Sequence, residues 1–452
     1  MALKQMDALA ALREAAGEVI ETSLCDVQGN WLALVDTEEG KRLAFAAKGE
    51  AALSALWKDV EKEADVKDVH VSVMGLNANN AALVRRYVKW TAPTACGTKG
   101  ASIGFSDWLG EADAVVADLF GKRQLKPVLV DFTTEDSEAL QRYFVQAVDT
   151  ATWGVLEEGY KEGYGANAAG LKTEEEIVKA LLYGYSMIGF DCSDKIDLVI
   201  EKLSDEAVDK RFEQFNETFC AAVHASYLNA EFKVGTSKIT FTENQLHRIV
   251  LEYGEAIMHI QFIYNSYLKN TPWDIDFELD LSKPGKVLTP QEHYLIGNEL
   301  QRNGIKLSSI CLDPLKDAEA VNDNLQLHCE IADTFGYRLS FKNADIAMND
   351  TAAAMKYLKG KVHFKMNNIL WMSAIELVKA LDADLFGKLC AACGCELTAD
   401  AADRALVLGY RKALNPKEEG NVAADMKAFL EAHHAEYAAA IKENVAAKLK
   451  NI

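Results

Sequence analysis

Two lysines and a few carboxylates stand where chemistry can be assembled in this 452-residue chain. Lys342 ends the apolar run "YRLSF" and Lys365 the run "VHF", on what read as successive strands, so their ammonium groups are expected as neighbours. Such a pair suits either of two chemistries. It binds a carboxylate or phosphate as fixed positive charge, or each cation lowers the other's pKa and a neutral amine captures a ketone as a Schiff base. "DFELDLS" puts Glu278 and Asp280 on one strand face and Phe277, Leu279 and Leu281 on the other. Together with Asp191 and Asp194, these acids suit the base and acid of a sugar epimerisation or isomerisation, in which a cation steadies an enolate or alkoxide. The ordinary alternative for Glu278 and Asp280 is an edge strand facing solvent. For Asp191, Ser193 and Asp194, after "MIGF", it is helix capping. Asn367 and Asn368, after "HFKM", complete the polar strand ends expected to contact substrate.

Metal chemistry has fewer candidates. His363 shares a strand face with Lys365, and His328 lies in the helical "LQLHCEIADTFG"; each is a possible ligand and each is equally at home in a core. Cys390, Cys393 and Cys395 cluster in "LCAACGCELTAD" without a fourth ligand nearby, which reads as a helix end with small thiols. The N-terminal region carries no phosphate-binding glycine loop, and no nucleotide cofactor is expected.

The elements that must position these groups fall into three regions. Residues 1–92 read as a small α+β region: an amphipathic helix, strands "EVIETSLCDV", "WLALVDT" and "KRLAFAA", a helix "EAALSALWKDVEKEA", a strand "DVHVSVMGL" and a helix "NAALVRRYVKW". Residues 93–382 alternate short apolar runs with helical patterns. About seven such units point to a (β/α)8-type barrel, whose strand ends face one mouth. In "WGVLEEGYKEGYGANAAG", Trp153 and Tyr160 keep helical spacing, whereas the glycines break the helix into a loop expected over the mouth, with Tyr164 against substrate. Residues 383–452 read as a helical extension on the outside.

Composition sets outer bounds. The chain is 49% hydrophobic and 26% charged, with 7 prolines and no apolar run long enough for a membrane span or signal peptide, so a cytoplasmic globular protein is expected. Its formal charge of -20 disfavours nucleic acid and anionic membranes while leaving room for a locally basic pocket. Nine mostly scattered cysteines suit a reducing compartment.

The segment "VDTATWGVLEEGYKEGYGANAAGLKTEEEIVKALLYGYSMIGFDCSDKI", followed in order by "HRIVLEYGEAIMHIQFIY", "DIDFELDL", "LHCEIADTFGYRLSF" and "KVHFKM", resembles the tagaturonate epimerase family over about residues 92–395. The resemblance implies a barrel, a divalent metal, and a keto sugar acid as the small-molecule partner. It also implies an acidic residue and a histidine where Ala169 and Gly170 stand, and a histidine where Lys342 stands. Likewise, Lys195 replaces a histidine, and Ser282 and Lys283 replace an acidic pair. A sugar-acid epimerase with a rebuilt metal site, in which lysine charge replaces metal charge, is the leading expectation. Lys342, Lys365, Asp191 and Glu278 would be catalytic, and His328 and His363 the remaining metal candidates. A lysine-dependent aldolase or transaldolase and a non-catalytic sugar-acid or partner-protein binder are the alternatives.

Overall fold

A computed structural model describes residues 2–49, 53–121, 125–348, 351–399, 403–450 and 452. Helix α1 (Gln5–Ala15) leads into strands β1 (Glu18–Val27), β2 (Asn30–Thr37), β3 (Gly40–Lys48), β4 (Val60–Val66) and β5 (Val69–Met74). They form an antiparallel sheet in the order β1-β2-β3-β5-β4. One sheet face packs on Ala8, Ala11 and Leu12 of α1. The other packs on Ala81 and Val84 of α2 (Ala78–Tyr87) and on Trp153 and Leu156 farther along the chain. Burial on both faces explains why β2 and β3 read as nearly unbroken apolar runs. The helix expected over "EAALSALWKDVEKEA" is corrected. Its first residues, 50–52, lie outside the described set, and the rest holds one 3-10 turn, Ser54–Leu56, and the start of β4. That strand's charged residues lie along the exposed edge of the sheet, where pairing with β5 overrides helix propensity.

The central feature is a closed parallel barrel of eight strands. Four precede an excursion of the chain: β6 (Ser102–Gly104), β7 (Lys126–Thr133), β8 (Gly165–Leu171) and β9 (Met187–Asp191). A hairpin, β10 (Phe232–Val234) and β11 (Ser237–Ile239), lies within the excursion. The remaining four are β12 (Asp276–Asp280), β13 (Ser309–Leu312), β14 (Arg338–Phe341) and β15 (Val362–Lys365). Each pairs in parallel with the next around the ring, β9 with β12 and β15 with β6. The α/β class and the barrel agree with expectation.

Around the barrel run α3 (Asp113–Phe120), α4 (Thr134–Leu140), α5 (Phe144–Glu158), α6 (Glu174–Leu182), α7 (Asp205–Phe212) and α8 (Glu217–Tyr227). They are followed by α9 (Glu243–Ile263), α10 (Pro290–Arg302), α11 (Ala318–Phe335) and the helix Ile369–Leu381. From Ala383 onward the regular elements of the described residues are all helices, joined by short loops. Cys390 and Cys393 fall in the helix Ala383–Cys393, which ends at Gly394.

The glycine-rich loop expected over the mouth is also corrected, because "GANAAGL" is strand β8. Small residues are required there by crowding. A Cβ on Gly165 would come within 2.8 Å of Val128 and 3.0 Å of the Cys96 thiol. Trp153 and Tyr160 are core residues, as their spacing predicts.

Candidate active site

The barrel interior is built in layers by strand alternation. Asp276, Glu278 and Asp280 of β12 turn inward, while Phe277 and Leu279 join the apolar core. The edge-strand alternative for these acids is thereby excluded.

The lowest layer closes the barrel. Asp276 accepts backbone hydrogen bonds from Cys96 (2.6 Å) and Gly97 (3.0 Å), and the Arg338 guanidinium approaches it to 3.9 Å. Arg338 also donates to the Ser102 hydroxyl at 2.8 Å, which lies 2.8 Å from His363 Nδ1. Burial, aided by the Arg338 charge, pushes His363 down to about 3, so the ring is neutral near pH 7.

Above it lies a buried charge cluster. Lys365 forms an ion pair with Glu278, and its ammonium is 3.6 Å from Asp131 Oδ1. Ser309 donates to Glu278 at 2.9 Å, and Asn167 donates to Asp131 at 2.8 Å. All three charged groups are no more than 2% exposed. Burial disfavours each charge, yet the Lys365 charge holds Glu278 below its ordinary pKa, and Asp131 with Glu278 holds Lys365 above its own. For Asp131 burial wins and the pKa is raised. Gly104 makes room for this carboxylate, since a Cβ there would lie 2.6 Å from Asp131 Oδ2. Asp131 Oδ2, Asn167 Oδ1, Ser340 Oγ and His363 Nε2 have no hydrogen-bond partner among the described residues.

The top layer reaches the mouth. Lys342 pairs with Asp280, and their side chains are 26% and 14% exposed. Burial opposes the Lys342 charge, but the adjacent Asp280 outweighs it and raises the pKa well above the ordinary value. The same contact, with the Ser282 hydroxyl and N–H, holds Asp280 far below the carboxylate range against its own burial. The expectation of two lysines depressing each other's pKa is therefore corrected. Strand register does place Lys342 beside Lys365, since Phe341 opposes Phe364, yet each ammonium faces carboxylates that dominate. Schiff-base chemistry loses its neutral amine.

Asp191 stands at the end of β9, directly beside Asp280 in register. It accepts from the Ser193 N–H at 2.8 Å, so it caps a 3-10 turn as well as facing Lys172 at 3.7 Å. Lys172 also binds Asp194 at 3.0 Å. Asn367 donates to Ser106 at 2.6 Å. Asn368 is buried and gives its amide hydrogens to Asp345 and Asn343, both at 3.1 Å, so it braces the loops and does not face a ligand.

Two expected site residues lie elsewhere. Tyr164 is fully buried at the opposite end of the barrel, where its hydroxyl donates to the Thr91 carbonyl at 2.8 Å. It heads β8, and the strand carries the chain away from it toward the mouth. His328 sits between α10 and α11, outside the barrel, with its Nδ1 2.9 Å from His293 Nδ1; Tyr337 lies 2.8 Å from the other nitrogen of His293. The structure does not bring His328 and His363 to one point. Sequence reasoning counts Asp131 among the polar strand ends facing the mouth but assigns no chemical role to it, to Lys172, to Arg338 or to Asn167. Asp131 and Lys172 carry the strand-end signal that singled out the other residues, whereas Asn167 was hidden in the misread loop.

The residues at the mouth do not fit the divalent metal that the family resemblance implies. Gly170 offers no side chain, and its carbonyl accepts from Thr134 at 3.0 Å. Lys342 occupies the best-placed carboxylate, Asp280, and a metal there would have to displace its ammonium. His363 lies two layers down beside Arg338. Among the described residues, the one cluster of three metal-ligating groups lies on the outer helices, at His224, Glu243 and His247.

Comparison with known proteins agrees with this architecture. A family model described as tagaturonate epimerase matches residues 20–435. A tagaturonate/fructuronate epimerase from Thermotoga maritima is 27% identical over 383 residues, which is 82% of this chain and 78% of that protein. The native crystal structure of fructuronate-tagaturonate epimerase from Cohnella laeviribosi superposes with a TM-score of 0.85 at 25% identity, covering 99% of each chain. A one-glycerol complex of that enzyme gives 0.87 at 24% identity with the same coverage. Among the described residues no helix is long and apolar enough to cross a membrane.

Proposed function

This chain belongs to the tagaturonate epimerase family, and on that premise we propose that it interconverts epimeric keto sugar acids of the tagaturonate and fructuronate class at the mouth of its barrel. The observation that carries the reading is the Lys342–Asp280 pair, largely buried but open to the mouth on the lysine side, with Asp191 on the adjoining strand. A protonated ammonium in that position binds the substrate's keto oxygen or carboxylate and holds negative charge as it develops. Asp191 and Asp280, side by side on adjoining strands, are the carboxylates that accept and return the substrate's proton, with Lys342 beside them. Lys172 supplies a second cation beside Asp191 for the acid group.

Lys365 and Glu278 act from beneath. Almost fully buried and paired with each other, they offset each other's charge and tie β15 to β12 beneath the mouth. The surviving cations and acids favour catalysis over a binding role, and the protonated lysines disfavour the aldolase alternative.

The test is direct. Purified protein is incubated with tagaturonate and, separately, with fructuronate, and the epimer is followed by proton NMR. Interconversion that Lys342→Met abolishes supports the reading. Absence of interconversion in both directions, with folded protein and with or without added divalent metal, defeats it.

A further inference from the structure

The excursion between β9 and β12 carries a cluster that the barrel chemistry does not use. His224, in the last turn of α8, and His247, in the second turn of α9, bring their Nε2 atoms to 2.7 Å. Glu243, one turn before His247 on the same helix face, adds a carboxylate, and the three ligand atoms lie within 4.8 Å of one another. We propose that His224, His247 and Glu243 form a divalent transition-metal site of the zinc class that fastens α8 to α9.

Three observations point to a ligand and go beyond the proximity of polar groups. First, His247 is buried, and its other nitrogen, Nδ1, lies 2.7 Å from Asp209 Oδ1. That contact places the ring proton on Nδ1 and leaves the Nε2 lone pair aimed at His224. It is the carboxylate–histidine arrangement that orients imidazoles at metal centres. Second, the Phe212 ring stacks on His247 at 3.9 Å between centroids and 12° between planes, so the imidazole is held in place from the side as well. Third, the exposed Glu243 carboxylate has no hydrogen-bond or ion-pair partner among the described residues and is free to turn toward the two imidazoles.

The geometry needs little change. Without a metal, His224 donates its Nε2 proton to His247. With one, His224 moves that proton to Nδ1 and both Nε2 lone pairs converge on the ion. Two nitrogens at about 2.0–2.1 Å from a tetrahedral zinc are about 3.3 Å apart. The helices or rotamers therefore open by roughly half an ångström, within side-chain adjustment. Two imidazoles and one carboxylate leave a fourth position for water, and imidazole donors favour zinc, nickel or copper over magnesium or calcium. The site joins the chain excursion, which carries α7, α8 and the β10–β11 hairpin, to the long barrel helix α9.

The experiment is metal binding by the full chain. Chelator-stripped protein is titrated with Zn2+ against a chromophoric competitor, and separately with Co2+, whose visible absorption reports a low-coordinate site. The expected result is one Zn2+ per chain, lost in His224→Ala and weakened in Glu243→Gln, which alters only an exposed side chain. Asp209→Asn, which touches no metal, should weaken affinity about 10–100-fold and shift the Co2+ spectrum. Binding in Lys342→Met should equal that of the parent, and Zn2+ should raise the melting temperature of the parent but not of His224→Ala. Failure of the parent chain to bind either metal overturns the proposal. Zinc binding that survives both His224→Ala and Glu243→Gln overturns it equally.

Discussion

Lys342 and Asp280 meet across a strand they do not belong to. Asp280 ends β12 and Lys342 follows β14, with β13 between them, and the contact is possible because β13 presents the small Cys311 at that level. The Lys365–Glu278 pair spans β15 to β12 one layer lower, with Ser309 beside Glu278. Two lysines thus tie the second half of the barrel to β12, and these contacts set the charge state of the mouth.

Replacing Lys342 with methionine should lower kcat by about 10²–10³-fold, the scale of losing one donor to a developing oxyanion. Arginine should restore part of it. The pH profile gives a sharper signature. Removing the ammonium removes what holds Asp280 down while leaving burial, which pushes its pKa up. The acid limb of residual kcat/KM should therefore move to higher pH, whereas an unchanged limb would separate Asp280 from the chemistry.

Borohydride treatment in the presence of a ketose should leave the mass of the chain unchanged. Both Lys342 and Lys365 are held protonated by carboxylates, so neither offers the free amine that imine formation requires. A reduced adduct mapped to either lysine by mass spectrometry would restore the aldolase alternative.

Tyr164→Phe should leave kcat/KM unchanged and cost about 1 kcal/mol of stability, the scale of one buried hydrogen bond. Steady-state kinetics and urea unfolding check the two halves. A large loss of activity at full stability would place this tyrosine in the site after all.

The Lys283 ammonium lies among Glu252 and Glu292, each at 2.7 Å, and Glu201 at 3.1 Å, and Lys286 reaches only the last of these. Lys283→Met should destabilise the protein by about 3–5 kcal/mol, as expected when a buried charge loses its partner. Burial already raises the Glu252 pKa against the pull of Lys283, and without that cation burial and repulsion from the neighbouring carboxylates raise it further above that of the unfolded chain. The variant should then gain stability relative to the parent as pH falls from 7 toward 5, read as converging melting temperatures.

His293, His328 and His363 are all buried with lowered pKa values, the second at about 4 and the third at about 3. The unfolded chain takes up protons on these rings near pH 6.5, and the folded chain does not. Their contribution is complete above that pH and is lost as pH falls below it, by up to about 1.4 kcal/mol per pH unit for each ring. Substituting His328 with glutamine should flatten the acid side of a melting-temperature profile.

Most barrel strands were legible because an apolar run ends in a polar residue at the mouth, as in "KPVLVDF" and "YRLSFKN". β8 was not, because interior crowding selects glycine and alanine over the branched residues that signal a strand. β4 was not, because an exposed edge carries charges that read equally well as a helix. At the site, the inward face of β12 followed from alternation alone. The partners of each charge did not, since Lys365 reaches Glu278 and Asp131 through closure of the ring, which no local pattern records. His328 illustrates the same limit: its helix was evident, but the direction of its ring depended on packing against His293.

The clamp of Asp276, Arg338 and Ser102 at the base of the barrel carries a kinetic consequence. A barrel closed at its base admits substrate only at its mouth, so the reactant and its epimer arrive and depart by the same route. Neither enters until the other has left. Forward and reverse reactions should then share one saturable step, and each epimer should compete purely with the other throughout the approach to equilibrium.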